Sequence, residues 1–241
     1  MTDLILFVHG LACAGASFDG AGAYPALGET WAPDLPGHGG RPVPEGCDGT
    51  MEALAEDLRA GLAARDYHRL HLVAHSMGAA PALLLADRGA EIRLASFVNI
   101  EGNLIGADCS LLSRRASAMP PRDFRAIHWP KLVTAASEAR DPAVRTWAGW
   151  MAQADPAAVH AACGSLVAWS DGGELLARYR ALAVPKVYVH GGTSALPEVL
   201  AALEGTPVQA FDGAGHFVPT AAPDRFYPWL ADWLARLPKV Q

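Results

Sequence analysis

Short apolar runs alternate with helix-like patterns along most of the chain. The runs are apolar at consecutive positions, which is typical of strands buried on both faces of a sheet. Six runs predict strands: Leu4–His9, Thr30–Ala32, Leu70–His75, Leu94–Ile100, Val184–His190 and Thr206–Phe211. Because such strands need cover on both sides, the pattern favours a parallel sheet between two layers of helices.

Two segments carry the apolar stripe of an amphipathic helix. In the first, Met51, Leu54, Leu58 and Leu62 recur at helical spacing, and Thr50 precedes them as an N-cap residue. The second, residues 226–234 near the C-terminus, repeats this spacing. Together with the strands, these helices predict an α/β fold with a mostly parallel sheet covered by helices on both faces.

The alternation breaks once, between residues 104 and 182, where no convincing strand pattern occurs. Two Asp-Pro pairs, at 141–142 and 155–156, each predict an N-cap aspartate followed by a proline at the first helical position. We interpret this segment as a helical insertion between two strands of the sheet.

The insertion defines the predicted domains. We expect a core made of residues 1–102 and 183–241, with residues 103–182 inserted as a helical cap. Four of the seven tryptophans lie in this cap: Trp129, Trp147, Trp150 and Trp169. Aromatic side chains suit an apolar pocket wall, and we predict that Trp129, Trp147 and Trp150 line a substrate pocket. The alternative is that the extra helices only pack on the core.

Composition excludes several classes of protein. The chain has 241 residues, a formal net charge of −6, and 51% hydrophobic against 18% charged residues. This balance argues against a disordered chain and against a basic surface for nucleic acid. The longest apolar run, Met77–Ala86, is about half as long as a segment that spans a bilayer.

The same features predict a cytoplasmic protein. The N-terminus lacks the basic start and the long apolar stretch of a secretion signal, and the four cysteines contain no CxxC pair. No HExxH motif, glycine-rich phosphate loop or carboxylate cluster occurs, so we expect no metal and no cofactor. The expected partner is a small apolar substrate, with neither nucleic acid nor membrane; the oligomeric state stays open.

The chemically informative motif joins a predicted strand to a helix. Ser76 lies at this turn, two residues after Ala74 and two before Gly78, and small residues there allow a sharp turn that exposes the hydroxyl. The next helix begins at this point, and its free N–H groups favour negative charge. We predict that Ser76 is a nucleophile and that the Met77 N–H binds the oxyanion formed by its attack.

Other segments fit this interpretation. Leu11 follows the first predicted strand, where a second N–H for the oxyanion hole is expected. His216 follows the last predicted strand, where a general base is needed. His75, which directly precedes the nucleophile, is expected to point away from the reacting face.

Four short motifs together resemble the α/β-hydrolase superfamily over nearly the whole chain. They are His9-Gly10, PDLPGHG at 33–39, AHSMG at 74–78 and GAGHF at 213–217. The resemblance implies a parallel-rich sheet and a cap inserted after the strand that follows the nucleophile. It also implies a site at the carboxyl ends of the strands.

The acid of the catalytic triad departs from the family pattern. In the family it usually follows the strand that here ends at His190, but Ser194 stands at that position. A hydroxyl cannot stabilise a histidine cation as a carboxylate does. We predict that Glu101, which follows the strand Leu94–Ile100, is the acid instead. In this feature the chain looks similar to haloalkane dehalogenases.

Other acids stay open at this point. Asp108 lies in the loop after Glu101, and Asp212 lies shortly before His216. Glu101 could instead cap the first turn of the insertion or pair with an arginine such as Arg114, which would leave the triad without an acid.

These assignments predict a serine hydrolase. Ser76, His216 and Glu101 would cleave a small or medium apolar ester through an acyl-enzyme. Since a fold does not determine the reaction, the alternatives are a thioesterase, a carbon–carbon bond hydrolase or a cofactor-free lyase. Ser194 at the usual acid position also allows a catalytically weak ligand-binding protein.

Overall fold

The computed structural model describes residues 2–109 and 112–238 of the chain. Its strands are β1 (Leu4–Val8), β2 (Glu29–Trp31), β3 (Leu70–His75), β4 (Leu94–Ile100), β5 (Lys186–His190) and β6 (Val208–Ala210). They form one sheet in the order β2-β1-β3-β4-β5-β6, and each neighbouring pair is parallel. All six predicted strands are present, and β6 is shorter than its predicted range.

Helices connect the strands. They are α1 (Met51–Ala63), α2 (Ala79–Ala86), α3 (Ser113–Ser117), α4 (Pro121–Asp123), α5 (Trp129–Ser137), α6 (Pro142–Met151), α7 (Pro156–Asp171), α8 (Glu174–Ala181), α9 (Pro197–Ala202), α10 (Val218–Ala221) and α11 (Pro223–Ala235). A π-helical turn, Phe124–His128, joins α4 to α5. Among the described residues, no helix is long and apolar enough to cross a bilayer.

Both faces of the sheet are covered, as the apolar strands predict. In β1, Leu4 and Leu6 belong to the buried cluster that includes the stripe of α1. The alternate residues Ile5 and Phe7 belong to a second cluster, with α11, on the other face. This alternation follows from the period of two in a strand, and it places a hydrophobic core on each side of the sheet.

The residues predicted to cap the N-termini of helices do so in the structure. The Thr50 side chain accepts a hydrogen bond from the Ala53 N–H at 3.2 Å, a cap that stabilises a helix by about 1 kcal/mol. Asp141 and Asp155 each accept from the backbone N–H two residues further on, at 2.8 Å. Each precedes a proline that begins a helix, α6 or α7.

The chain between β4 and β5 is helical. It supplies α3 to α8, and its described residues contain no strand. β1, β3, β4 and β5 are parallel and adjacent, so the loops after their carboxyl ends meet at one edge of the sheet. Ser76 follows β3, Glu101 follows β4, and His216 follows β6, which is parallel to β5 at the edge of the sheet.

Candidate active site

Ser76 lies at the sharp turn between β3 and α2. Its φ of +52° is in the left-handed region, which costs a residue other than glycine on the order of 1–3 kcal/mol. Gly78 makes the turn possible: a Cβ there would lie 2.4 Å from the His9 carbonyl oxygen and 2.5 Å from that of Val8. The strand-to-helix turn predicted from the motif is therefore present, with a strained serine at its apex.

The structure brings Ser76, His216 and Glu101 together. Nε2 of His216 is 3.1 Å from Oγ of Ser76, and Nδ1 is 2.8 Å from Oε2 of Glu101. When the imidazole proton is on Nδ1, His216 donates to the carboxylate and its Nε2 is free to accept the serine proton. The side chain of Glu101 is only 5% exposed, so its carboxylate is shielded from water.

Glu101 is held by three donors. Besides His216, its Oε1 accepts a hydrogen bond from the Gly191 N–H at 2.8 Å and one from the hydroxyl of Ser194. Burial raises the pKa of this carboxyl, but the hydrogen bond and positive charge of His216 and these two donors outweigh it and lower the pKa. Ser194 stands where the resemblance predicts an acid, and its hydroxyl instead orients the carboxylate of Glu101.

The alternative acids have other roles than bonding to His216. Oδ2 of Asp108 accepts hydrogen bonds from the N–H groups of Leu104 and Ile105, at 2.8 and 2.9 Å, and so stabilises the turn after β4. In the part of the chain that the structure describes, no hydrogen bond joins Asp108 or Asp212 to His216. Neither residue is the carboxylate partner of the imidazole in this structure.

Met77 and Leu11 carry the two N–H groups that are predicted to bind an oxyanion. Met77 is the second residue of the 3-10 turn Ser76–Gly78, where the first N–H groups have no partner within the helix. Leu11 follows β1, and its carbonyl oxygen accepts a hydrogen bond from the Trp147 indole at 3.0 Å. This bond fixes the loop that carries the Leu11 N–H, which remains the predicted second donor.

A cavity of about 350 Å³ opens beside Ser76. Its lining residues are Leu11, Cys13, His75, Ser76, Met77, Glu101, Asn103, Asp108, Leu112, Ser113, Leu132, Val144, Trp147, Leu166, His216 and Phe217. Trp147 is the one predicted tryptophan among them. Phe217, directly after His216, was missed by the sequence analysis; its ring centroid is 5.8 Å from that of Trp147.

Trp129 and Trp150 do not line this cavity, contrary to the prediction. Trp129 is buried against Phe124 between the inserted helices, with 5.7 Å between ring centroids. On α6 the cavity is lined by Val144 and Trp147, one turn apart, and Trp150 lies a further turn along the helix.

His75 packs against His216 instead of pointing away from it. The two ring centroids are 4.8 Å apart, and Nε2 of His75 lies 2.9 Å from the His216 backbone oxygen, to which it donates. Burial, aided by the nearby charge of His216, lowers the pKa of His75 to about 3. His75 is therefore a neutral donor that holds the backbone of His216.

The buried histidines make stability depend on pH. His9 and His75 both have a pKa of about 3, mainly because of burial, whereas an unfolded histidine titrates near 6.5. Below about pH 6.5 the unfolded chain therefore binds protons that the folded chain does not. We expect the free energy of unfolding to fall by up to about 1.4 kcal/mol per pH unit for each of them.

Urea unfolding at about pH 7 and about pH 5 measures this dependence. In His75→Gln the amide can still donate to the His216 carbonyl but does not titrate, so the loss of stability on acidification should be smaller than in the wild type. Equal losses in the two proteins would contradict the assignment of His75 as a buried neutral group.

Comparisons with known proteins place this geometry in context. Residues 5–229 match the sequence profile of the alpha/beta hydrolase family. No curated protein sequence matches the chain significantly.

Three solved structures illustrate the similarity of fold. A thermophilic esterase from Thermogutta terrifontis has a TM-score of 0.73 at 22% identity, covering 98% of this chain and 90% of its own. A carboxylesterase from the thaumarchaeon Nitrososphaera gargenis has a TM-score of 0.76 at 16% identity, covering 97% and 90%. The N-acyl homoserine lactonase AidH has a TM-score of 0.73 at 16% identity, covering 100% and 90%. Because the family profile extends over most of the sequence, the chain belongs to the alpha/beta hydrolase family.

Proposed function

We propose that the protein is a serine carboxylesterase that uses Ser76, His216 and Glu101. The observation that carries this proposal is the continuous chain of contacts, 3.1 Å from Ser76 to His216 and 2.8 Å from His216 to Glu101, at the wall of a cavity. A nucleophile within reach of a base, and a base oriented by a third group, is the arrangement that acyl transfer requires.

The proposed reaction has two steps. Oγ of Ser76 attacks the ester carbonyl carbon while Nε2 of His216 takes the hydroxyl proton. The Leu11 and Met77 N–H groups stabilise the oxyanion. The carbon–oxygen bond to the alcohol then breaks, and His216 returns the proton to the departing alcohol. In the second step water attacks the acyl-enzyme while His216 takes its proton. The bond to Oγ of Ser76 then breaks, His216 returns the proton to Oγ, and the acid leaves.

Glu101 supports the charge that His216 acquires in both steps. Its carboxylate is buried, ionised and already bonded to Nδ1, so it stabilises the imidazolium with little reorganisation. A ligand-binding protein without catalysis would need no such partner for the imidazole. This contact therefore favours an enzyme over the binding alternative raised by Ser194.

The cavity indicates the size and polarity of the ester. About 350 Å³ is near the small end of ligand sites, and most of its lining side chains are apolar. Several of these come from α3 to α7, so we propose that residues 103–182 act as a cap that shapes the pocket. The solved structures with this fold include an esterase, a carboxylesterase and a lactonase, and a lactone is a cyclic ester. All three therefore agree with the proposal that this chain hydrolyses esters.

A panel of purified substrates tests the proposal. It contains nitrophenyl esters of acetate, butanoate, hexanoate and palmitate, a matched butanoyl thioester and an aromatic cyanohydrin. We expect the fastest turnover with butanoate or hexanoate and slow turnover with palmitate, because the cavity is too small for a long chain. Turnover of the thioester or the cyanohydrin without turnover of any oxygen ester would overturn the proposal.

A further inference from the structure

The side chains that line the cavity beside Ser76 include an apolar set and a polar set, here called the apolar sector and the polar sector. The apolar sector comes from the inserted helices and the loop after His216, with Leu132, Val144, Trp147, Leu166 and Phe217. The polar sector comes from one stretch of chain after β4. It consists of Asn103, Asp108 and Ser113.

Asp108 is the charged member of the polar sector, and its position is rigid. Two backbone N–H groups, those of Leu104 and Ile105, bind its Oδ2. Among the described residues, no hydrogen bond is made by its Oδ1. Asp108 lines the cavity that contains Ser76 and also a smaller cavity of about 70 Å³ beside Glu101 and His216.

The charges around the cavity are unbalanced. Among the described residues that line it, the ionisable groups besides Cys13 and His75 are Glu101, Asp108 and His216, and no lysine or arginine is present. Glu101 is paired with His216, whereas none of the described lysines and arginines forms a salt bridge with Asp108. Burial raises the pKa of the Asp108 carboxyl, and its two backbone donors partly oppose that rise.

We propose that Asp108 determines substrate specificity. The site accepts esters with a hydroxyl or ammonium group near this carboxylate and rejects esters with an anionic group there. This inference rests on the proposed esterase activity and narrows its substrate class to neutral or cationic amphiphilic esters. The apolar part of such an ester packs on the apolar sector, and its donor group binds Oδ1 of Asp108.

Matched esters that differ in one end group test this proposal. The alcohol series consists of butanoates of 3-(dimethylamino)propanol, 4-methylpentanol and 4-hydroxybutanoate, which are cationic, neutral and anionic at about pH 8. An acyl series carries the same three end groups on the acyl chain of methyl esters. In at least one series, we expect kcat/KM to be highest for the cation and lowest for the anion.

Asp108→Asn removes the charge and keeps the turn, because the asparagine oxygen can still accept from Leu104 and Ile105. We expect kcat/KM for the cationic ester, divided by kcat/KM for the anionic ester, to fall at least about tenfold. One charge close to a charged group of the substrate has an effect of this size when water does not screen it. All esters of a series use the same triad, so the ratio cancels any change in the triad itself. Thermal melting checks that the variant is folded.

Asp232→Asn is the matched control. It removes a carboxylate on α11 whose side chain is 74% exposed, and it should leave the ratio unchanged. If Asp108→Asn is folded and keeps the wild-type ratio in both series, Asp108 does not select substrates and the inference is wrong. If the wild type hydrolyses none of the esters, including the neutral ones, the proposed esterase function fails instead.

Discussion

Replacing Ser76 with alanine is expected to lower kcat for the best ester of the panel by about 10⁴- to 10⁶-fold. The substitution removes the oxygen that forms the acyl-enzyme, and His216, 3.1 Å away, has no other hydroxyl to activate in the observed geometry. KM should change little, because the cavity walls and the predicted oxyanion donors remain. The residual rate would come from water activated by the imidazole and from binding alone.

The alanine variant is also expected to be stable. Ser76 adopts a positive φ that strains any side chain with a Cβ, and alanine adds no atoms to the turn. Steady-state kinetics compare Ser76→Ala with Ser137→Ala, which removes an exposed serine hydroxyl at the end of α5. A Ser76→Ala variant that keeps more than a tenth of the wild-type kcat would remove Ser76 from the mechanism.

Glu101→Gln is expected to lower kcat by about 10⁴-fold, more than the loss of one charge would suggest. The amide has one acceptor and one donor end, whereas the carboxylate accepts on both oxygens. The Gly191 N–H is 2.8 Å from Oε1 and can only donate, so the amide oxygen must occupy that side. The NH₂ group then faces Nδ1 of His216 and forces the ring proton onto Nε2.

With the proton on Nε2, His216 cannot accept the proton of Ser76. Steady-state kinetics of Glu101→Gln should therefore show a large fall in kcat with little change in KM. Glu198→Gln, which neutralises an exposed glutamate in the short helix α9, is the matched control and should have wild-type kinetics. If Glu101→Gln retains wild-type kcat, Glu101 is not the acid of the triad.

Much of this geometry could be predicted from the sequence, because it follows from local rules. The apolar strands, the Thr50 cap and the sharp turn at Ser76 each depend on residues close together in the chain. The contact between Glu101 and His216 also has a simple basis: both residues follow strand ends at one edge of a parallel sheet.

Other contacts depend on packing that a single sequence does not encode locally. Ser194 could be recognised as a missing acid, but its hydrogen bond to Glu101 requires β4 and β5 to be neighbours in the sheet. Similarly, the phase of a helix indicates which side is apolar but not which helix covers it. For this reason Trp147 reaches the cavity while Trp129 is buried elsewhere in the insertion.

His75 shows the same limit for a polar residue. His75 is the last residue of β3, directly before Ser76, and its neighbours in the sequence do not indicate what its side chain binds. Its donation to the His216 carbonyl depends on a loop 141 residues further along the chain. The sheet brings the two loops together, and this allows the buried, neutral His75 to hold the backbone of His216.

Covalent labelling of Ser76 tests the central claim most directly. The wild-type protein is treated with a serine-directed alkyl fluorophosphonate, and intact mass and peptide mapping locate the adduct. We predict one adduct per chain, on Ser76, with a parallel loss of ester hydrolysis, and no adduct on Ser76→Ala under the same conditions. An unlabelled wild-type protein that still hydrolyses esters, or an adduct on another residue, would contradict the account of Ser76 as the nucleophile.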